Sequence, residues 1–193
     1  LTTLSRPNLY LALTHYPVIN KQGVQIASAV TNLDLHDLAR LARTYGIKRF
    51  YVITPLSDQQ RLIRQILDHW VSGAGATYNP ARHEALALVS VHDCLADAAE
   101  DASRIEGGKQ VQVVATTARP IADAVSFKCM RERLQTASPL MLVLGTAWGL
   151  ADAVIHAADD VLEPVMGCAD YNHLSVRAAA AIILDRLLGP RVG

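Results

Sequence analysis

The sequence predicts an α/β fold, a mostly parallel sheet with helices on both faces. Two observations predict it. Apolar, β-prone runs alternate with helical patterns from one end of the chain to the other. Most of those runs are unbroken rather than alternating, as strands buried on both faces are.

The elements follow in order. Residues 9–13 (LYLAL) read as a first strand and 25–31 as a connecting segment. A helix starts near Asn32, with Thr31 and Asn32 as candidate caps and Asp34 suited to the helix dipole. Leu35, Leu38, Ala42 and Tyr45 continue it at helical spacing, and Gly46 ends it. Residues 49–54 (RFYVIT) form a second strand that Pro55 breaks. A helix over 58–70 carries the stripe Leu62, Ile66, Trp70. Residues 71–83 read as a long irregular connection containing Gly73, Gly75 and Pro80. Strand 86–91, helix 93–105, strand 111–115, helix 126–135 and strand 140–144 follow. The chain then gives a short helix at 150–158, an extended piece at 161–165, and a last helix over 173–188. Asn172 is the expected cap of that helix and Gly189-Pro190 its stop.

At 193 residues the chain fits one domain, expected over 1–193. Hydrophobic residues make up 51%, enough for a core and outside the disordered range. Eighteen basic residues balance eighteen acidic ones, so any nucleic acid must be held by a local patch rather than by net charge. Cys94, Cys129 and Cys168 are too scattered for a disulfide framework, which points to a reducing, cytoplasmic setting. The first residues lack the pattern of a secretory leader. The uncharged run 137–151 is shorter than the ~18 residues a membrane span needs. No zinc spacing, P-loop, G-x-G-x-x-G or G-x-S-x-G pattern appears, so no metal is expected.

In open α/β sheets, ligands bind beyond the carboxyl ends of the strands. Three such ends carry small or polar loops here: 116–120, 145–150 and 163–173. Gly145 and Gly149 allow close backbone approach to a ligand, or simply a tight turn around a buried Trp148.

The segments Gly145-Thr-Ala-Trp-Gly-Leu150 and Asp170-Tyr-Asn-His-Leu-Ser-Val-Arg177 resemble the C-terminal signature of an RNA methyltransferase family in the SPOUT (SpoU–TrmD) superfamily. Residues 31–40 (TNLDLHDLAR) with 43–46 (RTYG), Tyr10-Leu-Ala-Leu13 with His15-Tyr-Pro17, and Tyr78-Asn-Pro80 are similar to earlier motifs of the same family, so the likeness covers nearly the whole chain in order. Ala147 stands where that motif more usually has glycine, and Ala178 where serine is expected. The resemblance implies a C-terminal trefoil knot, a bent S-adenosylmethionine within it, a homodimer, and RNA, tRNA or rRNA, as substrate. It also implies that Thr116, Leu144, Gly145, Trp148, Gly149, Glu163, Pro164, Val165, Asn172, His173 and Leu174 border the cofactor. Topology rules alone would argue against a knot.

Methyl transfer from a sulfonium releases a neutral thioether, so small residues and backbone groups can do most of the work. Asp170 reads as either a general base or a solvated loop carboxylate. His36, Arg40 and Arg43 share one helix face, either as an RNA-facing stripe with Asn32 or as a solvated face. With the resemblance, Arg40 is expected to take part in catalysis. The competing reading is a knotted domain that binds RNA or an adenosine ligand without transferring methyl. An unknotted α/β enzyme acting on a small nucleotide is the third.

Overall fold

The computed structural model describes residues 7–136, 138–169 and 171–190. Among them the strands are β1 (Leu9–Thr14), β2 (Val18–Ile19), β3 (Gln25–Ile26), β4 (Phe50–Ile53), β5 (Val89–His92), β6 (Gln112–Thr116), β7 (Leu140–Gly145) and β8 (Asp160–Leu162). The helices are α1 (Asn32–Thr44), α2 (Ser57–Leu67), α3 (Ala74–Tyr78), α4 (Pro80–Leu86), α5 (Leu95–Ile105), α6 (Phe127–Leu134), α7 (Asp152–Ala157) and α8 (Val176–Leu188).

Six strands form one parallel sheet in the order β5-β4-β1-β7-β6-β8. The unbroken apolar runs predicted this. All six residues of β1 are buried, and side chains alternate between two cores. Leu9, Leu11 and Leu13 face one core with Leu142 and Leu144, closed by Leu35 and Leu38 of α1, Met130 of α6 and Leu184 of α8. Tyr10 and Ala12 face the other with Tyr51 and Met141, closed by Ala98 and Ala102 of α5 and Ile155 of α7. The two tyrosines bury their rings and still satisfy their hydroxyls. Tyr10 Oη donates to Glu106 at 2.6 Å and Tyr51 Oη to Asp101 at 2.9 Å.

The chain leaves β1 toward β4 on one side, but leaves β7 toward β8 on the other. Adjacent strands whose crossovers diverge open a crevice at their carboxyl ends. In this sheet that position is the edge beyond Thr14 and Gly145.

The structure corrects several sequence expectations. The connection 71–83 is helical for most of its length: a π-helical turn, Asp68–Ser72, extends α2, and α3 and α4 follow. Asn79 caps α4 through its side chain, and Pro80 sits at the first helical position, so the Asn-Pro pair marks a helix start rather than a loop. Leu86 belongs to α4, and the third long strand begins only at Val89. Residues 18–26 form a two-stranded antiparallel ribbon, β2–β3, whose second strand, Gln25–Ile26, falls in the stretch 25–31 expected as a connection. The last helix is capped by Ser175, whose Oγ accepts from Ala178 N–H at 3.3 Å, so Asn172 is not its cap and 172–174 stay in the loop. At the start of α1 the prediction stands: Thr31 is the N-cap, accepting from Asp34 N–H at 3.1 Å.

Candidate functional site: the carboxyl edge of β1, β6, β7 and β8

The loop after β7 is folded tightly back on its own strand. A Cβ on Gly145 would lie 2.4 Å from Leu150 N and 2.7 Å from Gly149 C, so only glycine fits. The ribbon after β1 clamps the same loop. Trp148 N–H donates to Ile19 O and Ile19 N–H to Gly149 O, each at 3.0 Å, and Val18 bridges Leu150. Gly149 has φ +110°. Trp148 is 53% exposed, which excludes the tight turn around a buried aromatic.

Ala147 takes φ +52°, the left-handed region that favours glycine. A Cβ there costs roughly 1–2 kcal/mol, and a β-branched side chain costs more. Ala147→Val is therefore expected to lower unfolding stability by ~1–2 kcal/mol, whereas Ala147→Gly stays within ~1 kcal/mol of the parent. Urea unfolding of the two variants checks this, and equal effects would contradict it.

The three strand-end loops meet. Asn172, in the loop after β8, donates through Nδ2 to Ala118 O, in the loop after β6, at 3.1 Å. His173 lies 5.8 Å from the Trp148 ring, in the loop after β7, and Tyr171 packs edge-on to His173 at 6.2 Å. Arg119 and Asp152 tie the β6 loop to the first turn of α7 at 2.7 Å, and Arg119 holds the Asp152 carboxyl below its usual pKa.

Of the expected cofactor residues, Gly145, Trp148, Gly149, Asn172 and His173 are thus gathered at one edge. Leu144 is buried beneath, and Thr116 donates its hydroxyl to Val143 O at 2.9 Å. Glu163 turns inward, its Oε1 accepting from Phe127 N–H at the start of α6. Val165 packs on the core beside it, and Leu174 is exposed. Asp170, expected as a general base, lies outside the described residues.

The groups present suit an adenosine-bearing sulfonium. Among the described residues from 164 to 174, no backbone N–H or C=O makes a backbone hydrogen bond. That leaves donors and acceptors for an adenine edge and ribose hydroxyls. Beside them stand the exposed apolar side chains Trp148, Met166 and Leu174, and Gly167, whose missing Cβ would meet only open space. No acid is needed to expel a neutral thioether, and none is required of the donor set.

The α1 stripe is less uniform than its spacing predicts. Asn32 is exposed at the start of the helix. His36 is half-buried, packed edge-on to Trp70 at 5.7 Å, and burial, with Arg82 and Arg40 nearby, lowers its pKa. Arg43 pairs with Glu84 at 2.6 Å. Arg40 is exposed and its guanidinium makes no ion pair or hydrogen bond among the described residues. It lines a groove between α1 and α8 with Asp37, Ser175 and Arg177. Eight residues separate it from Asn32, about 12 Å along the helix. Ser175, on the far wall of that groove, directly follows Leu174 of the loop after β8.

Sequence reasoning assigned no role to His15, Ser28 or Thr146, which form a buried polar cluster under the β7 loop. The signal was a histidine directly after an unbroken apolar strand. His15 is fully buried, and burial lowers its pKa from 6.5 to about 4, against the smaller opposing pull of Asp34. A folded-state pKa below the unfolded one gives stability that is present above pH 6.5 and lost as pH falls toward 4. This amounts to about 3 kcal/mol over that window. Urea midpoints compared at pH 7 and pH 4.5 are expected to drop less in His15→Asn than in the parent. Equal drops would show that His15 does not titrate there.

A parallel sheet whose strand-end loops meet at its switch point defines a doubly wound α/β protein. The chain belongs to the family of SAM-dependent RNA methyltransferases, whose sequence model matches residues 8–189. It is 44% identical over 190 residues to a tRNA (guanine-N(1)-)-methyltransferase of Oleidesulfovibrio alaskensis, covering 97% of this chain and 44% of that protein. It is 38% identical over 181 residues to an uncharacterized protein of Aquifex aeolicus, covering 93% and 88%. The chain spans less than half the length of the two tRNA methyltransferase relatives. Among solved structures, a probable methylase family protein from Haemophilus influenzae shares the fold at TM-score 0.61 and 14% identity, over 95% of this chain and 66% of that one. The TrmH/SpoU tRNA modifying enzyme of A. aeolicus shares it at 0.55 and 16%, over 94% and 74%. These likenesses show a shared α/β fold.

Proposed function

We propose that this methyltransferase holds S-adenosylmethionine among the loops after β6, β7 and β8, and methylates tRNA or rRNA at a ribose 2′-oxygen or a base nitrogen. The observation that carries the reading is the closure of the β8 loop over the other two, through Asn172 on Ala118 and His173 beside Trp148. The cofactor supplies a methyl group on a sulfonium, already activated for in-line transfer. The chain's residues bind, orient and exclude water: backbone groups of 164–174 take the adenosine edges, and Trp148 and Leu174 wall the crevice. Asp170 is the proposed acceptor of the substrate proton. In sequence it stands directly before Tyr171, Asn172 and His173.

Arg40 and Asn32 form the proposed RNA-facing set, with His36 and Arg43 shaping it through Trp70 and Glu84. A homodimer is part of the proposal, in which a second copy helps to complete the RNA site. Threading of the chain through a C-terminal trefoil knot, a single SPOUT-like domain and a cytoplasmic setting complete the proposal. The names of the two longer relatives favour tRNA among the RNA classes.

The test is transfer of labelled methyl from S-adenosylmethionine to unmodified tRNA and rRNA, followed by digestion to nucleosides. Label in one nucleoside of tRNA is expected, and its chemistry separates ribose from base. A folded, cofactor-binding protein that labels neither RNA would overturn the proposed substrate and favour the non-catalytic binding module.

A further inference from the structure

The buried cluster at the end of β1 fixes its own proton positions. Thr146 Oγ1 donates to Thr14 O at 3.0 Å, and the Thr146 N–H donates to the same carbonyl at 3.2 Å. A hydroxyl has one proton, so Thr146 must accept from Ser28 Oγ–H. Ser28 has then used its own proton and must accept from His15 Nδ1, which lies 3.0 Å away. His15 is therefore neutral and protonated on Nδ1. Its Nε2 is left as a bare lone pair, the form in which a buried nitrogen without a hydrogen-bond partner costs least.

The chain of bonds runs one way, His15 to Ser28 to Thr146 to Thr14 O, and joins three segments. Thr146 belongs to the 145–150 loop. Ser28 belongs to the strand-like stretch that leads to the Thr31 cap of α1, and its N–H also donates to His15 O at 2.8 Å. His15 stands at the carboxyl end of the central strand, at the switch point. Apolar packing could fill this space, but only directed bonds fix the loop's height above Thr14.

We propose that His15 is a positioning residue: its Nδ1–H begins a hydrogen-bond chain through Ser28 that sets the cofactor loop at Thr146 against the segment entering α1. This rests on the reading that the 145–150 loop holds S-adenosylmethionine. The chain would couple cofactor placement to the helix that carries Asn32 and Arg40.

The test uses the whole protein and the variants Ser28→Ala, Thr146→Val and Thr146→Ser. Two quantities are read: amide hydrogen exchange of the cofactor-free protein, and calorimetric affinity for S-adenosylmethionine. Breaking the chain should speed exchange at Trp148 and Gly149 by on the order of tenfold relative to the β7 amides, and weaken cofactor binding by about tenfold. Thr146→Ser should restore both. Nitrogen NMR of His15 should show the proton on Nδ1. Exchange that rises uniformly across the sheet, or affinity unchanged in folded variants, would reduce the cluster to a plain stabilising contact and overturn the proposal. So would a proton found on Nε2. A parent protein that binds no cofactor, while its loop still responds to the variants, overturns the cofactor reading instead and is recognisable as such.

Discussion

Gly145→Ala is expected to weaken S-adenosylmethionine binding by about 100-fold or more while leaving the protein folded. A methyl group at this position meets Leu150 N at 2.4 Å and Gly149 C at 2.7 Å, and both are backbone atoms that no rotamer change can move. The loop must lift. Lifting it strains the bonds from Trp148 N–H to Ile19 O and from Thr146 N–H to Thr14 O. It also carries the Trp148 ring away from His173. The damage stays local, because the buried part of β7, Leu140 to Leu144, lies below the contact. Calorimetric titration with circular dichroism as the fold check reads both halves of the result. Unchanged affinity would mean that the cofactor does not sit against this loop.

Asp170→Ala is expected to lower methyl transfer to RNA by about 100-fold or more, with cofactor affinity unchanged. General bases contribute most when positioned beside the atom that loses its proton, and Asp170 precedes Tyr171, Asn172 and His173, which close over the β6 and β7 loops. Loss of turnover with retained binding separates a base from a loop-shaping residue, which would weaken both. Full activity would return Asp170 to a solvated carboxylate. His173 would then be the alternative base in that motif.

How much was legible follows from the physics of each region. The sheet strands at 9–13, 50–53 and 140–144 were readable because burial on both faces leaves no choice but continuous apolar sequence. Helix α1 was readable from its cap and stripe. The helices at 74–86 were not, since Gly73, Gly75 and Pro80 are turn formers by composition. Here Pro80 starts a helix behind the Asn79 cap, and Gly75 lies tight against the Trp70 ring, where a Cβ would be 2.7 Å from Cε3. Gly145 and Gly149 were visible as motif residues, but their reason, the return of 149–150 over Gly145, is a tertiary contact. Exposure of Trp148 was equally hidden, because nothing local tells a ring that packs inward from one that lines a crevice. The His15–Ser28–Thr146 chain joins residues 13 and 118 positions apart, and no periodicity reports such a meeting. The stripe His36, Arg40, Arg43 shared one face as predicted. The neighbours that divide it are Trp70, at the end of the helix the sequence predicts, and Glu84, which no predicted element contains.

The most direct test of the central claim is residue-resolved hydrogen exchange with and without saturating S-adenosylmethionine. The loop crevice predicts protection at 116–120, 144–150 and 163–174, with the amino edge of the sheet near Asn8, Gly46 and Gln135 unchanged. Protection confined to that opposite edge, or none in a protein that binds the cofactor, would contradict it.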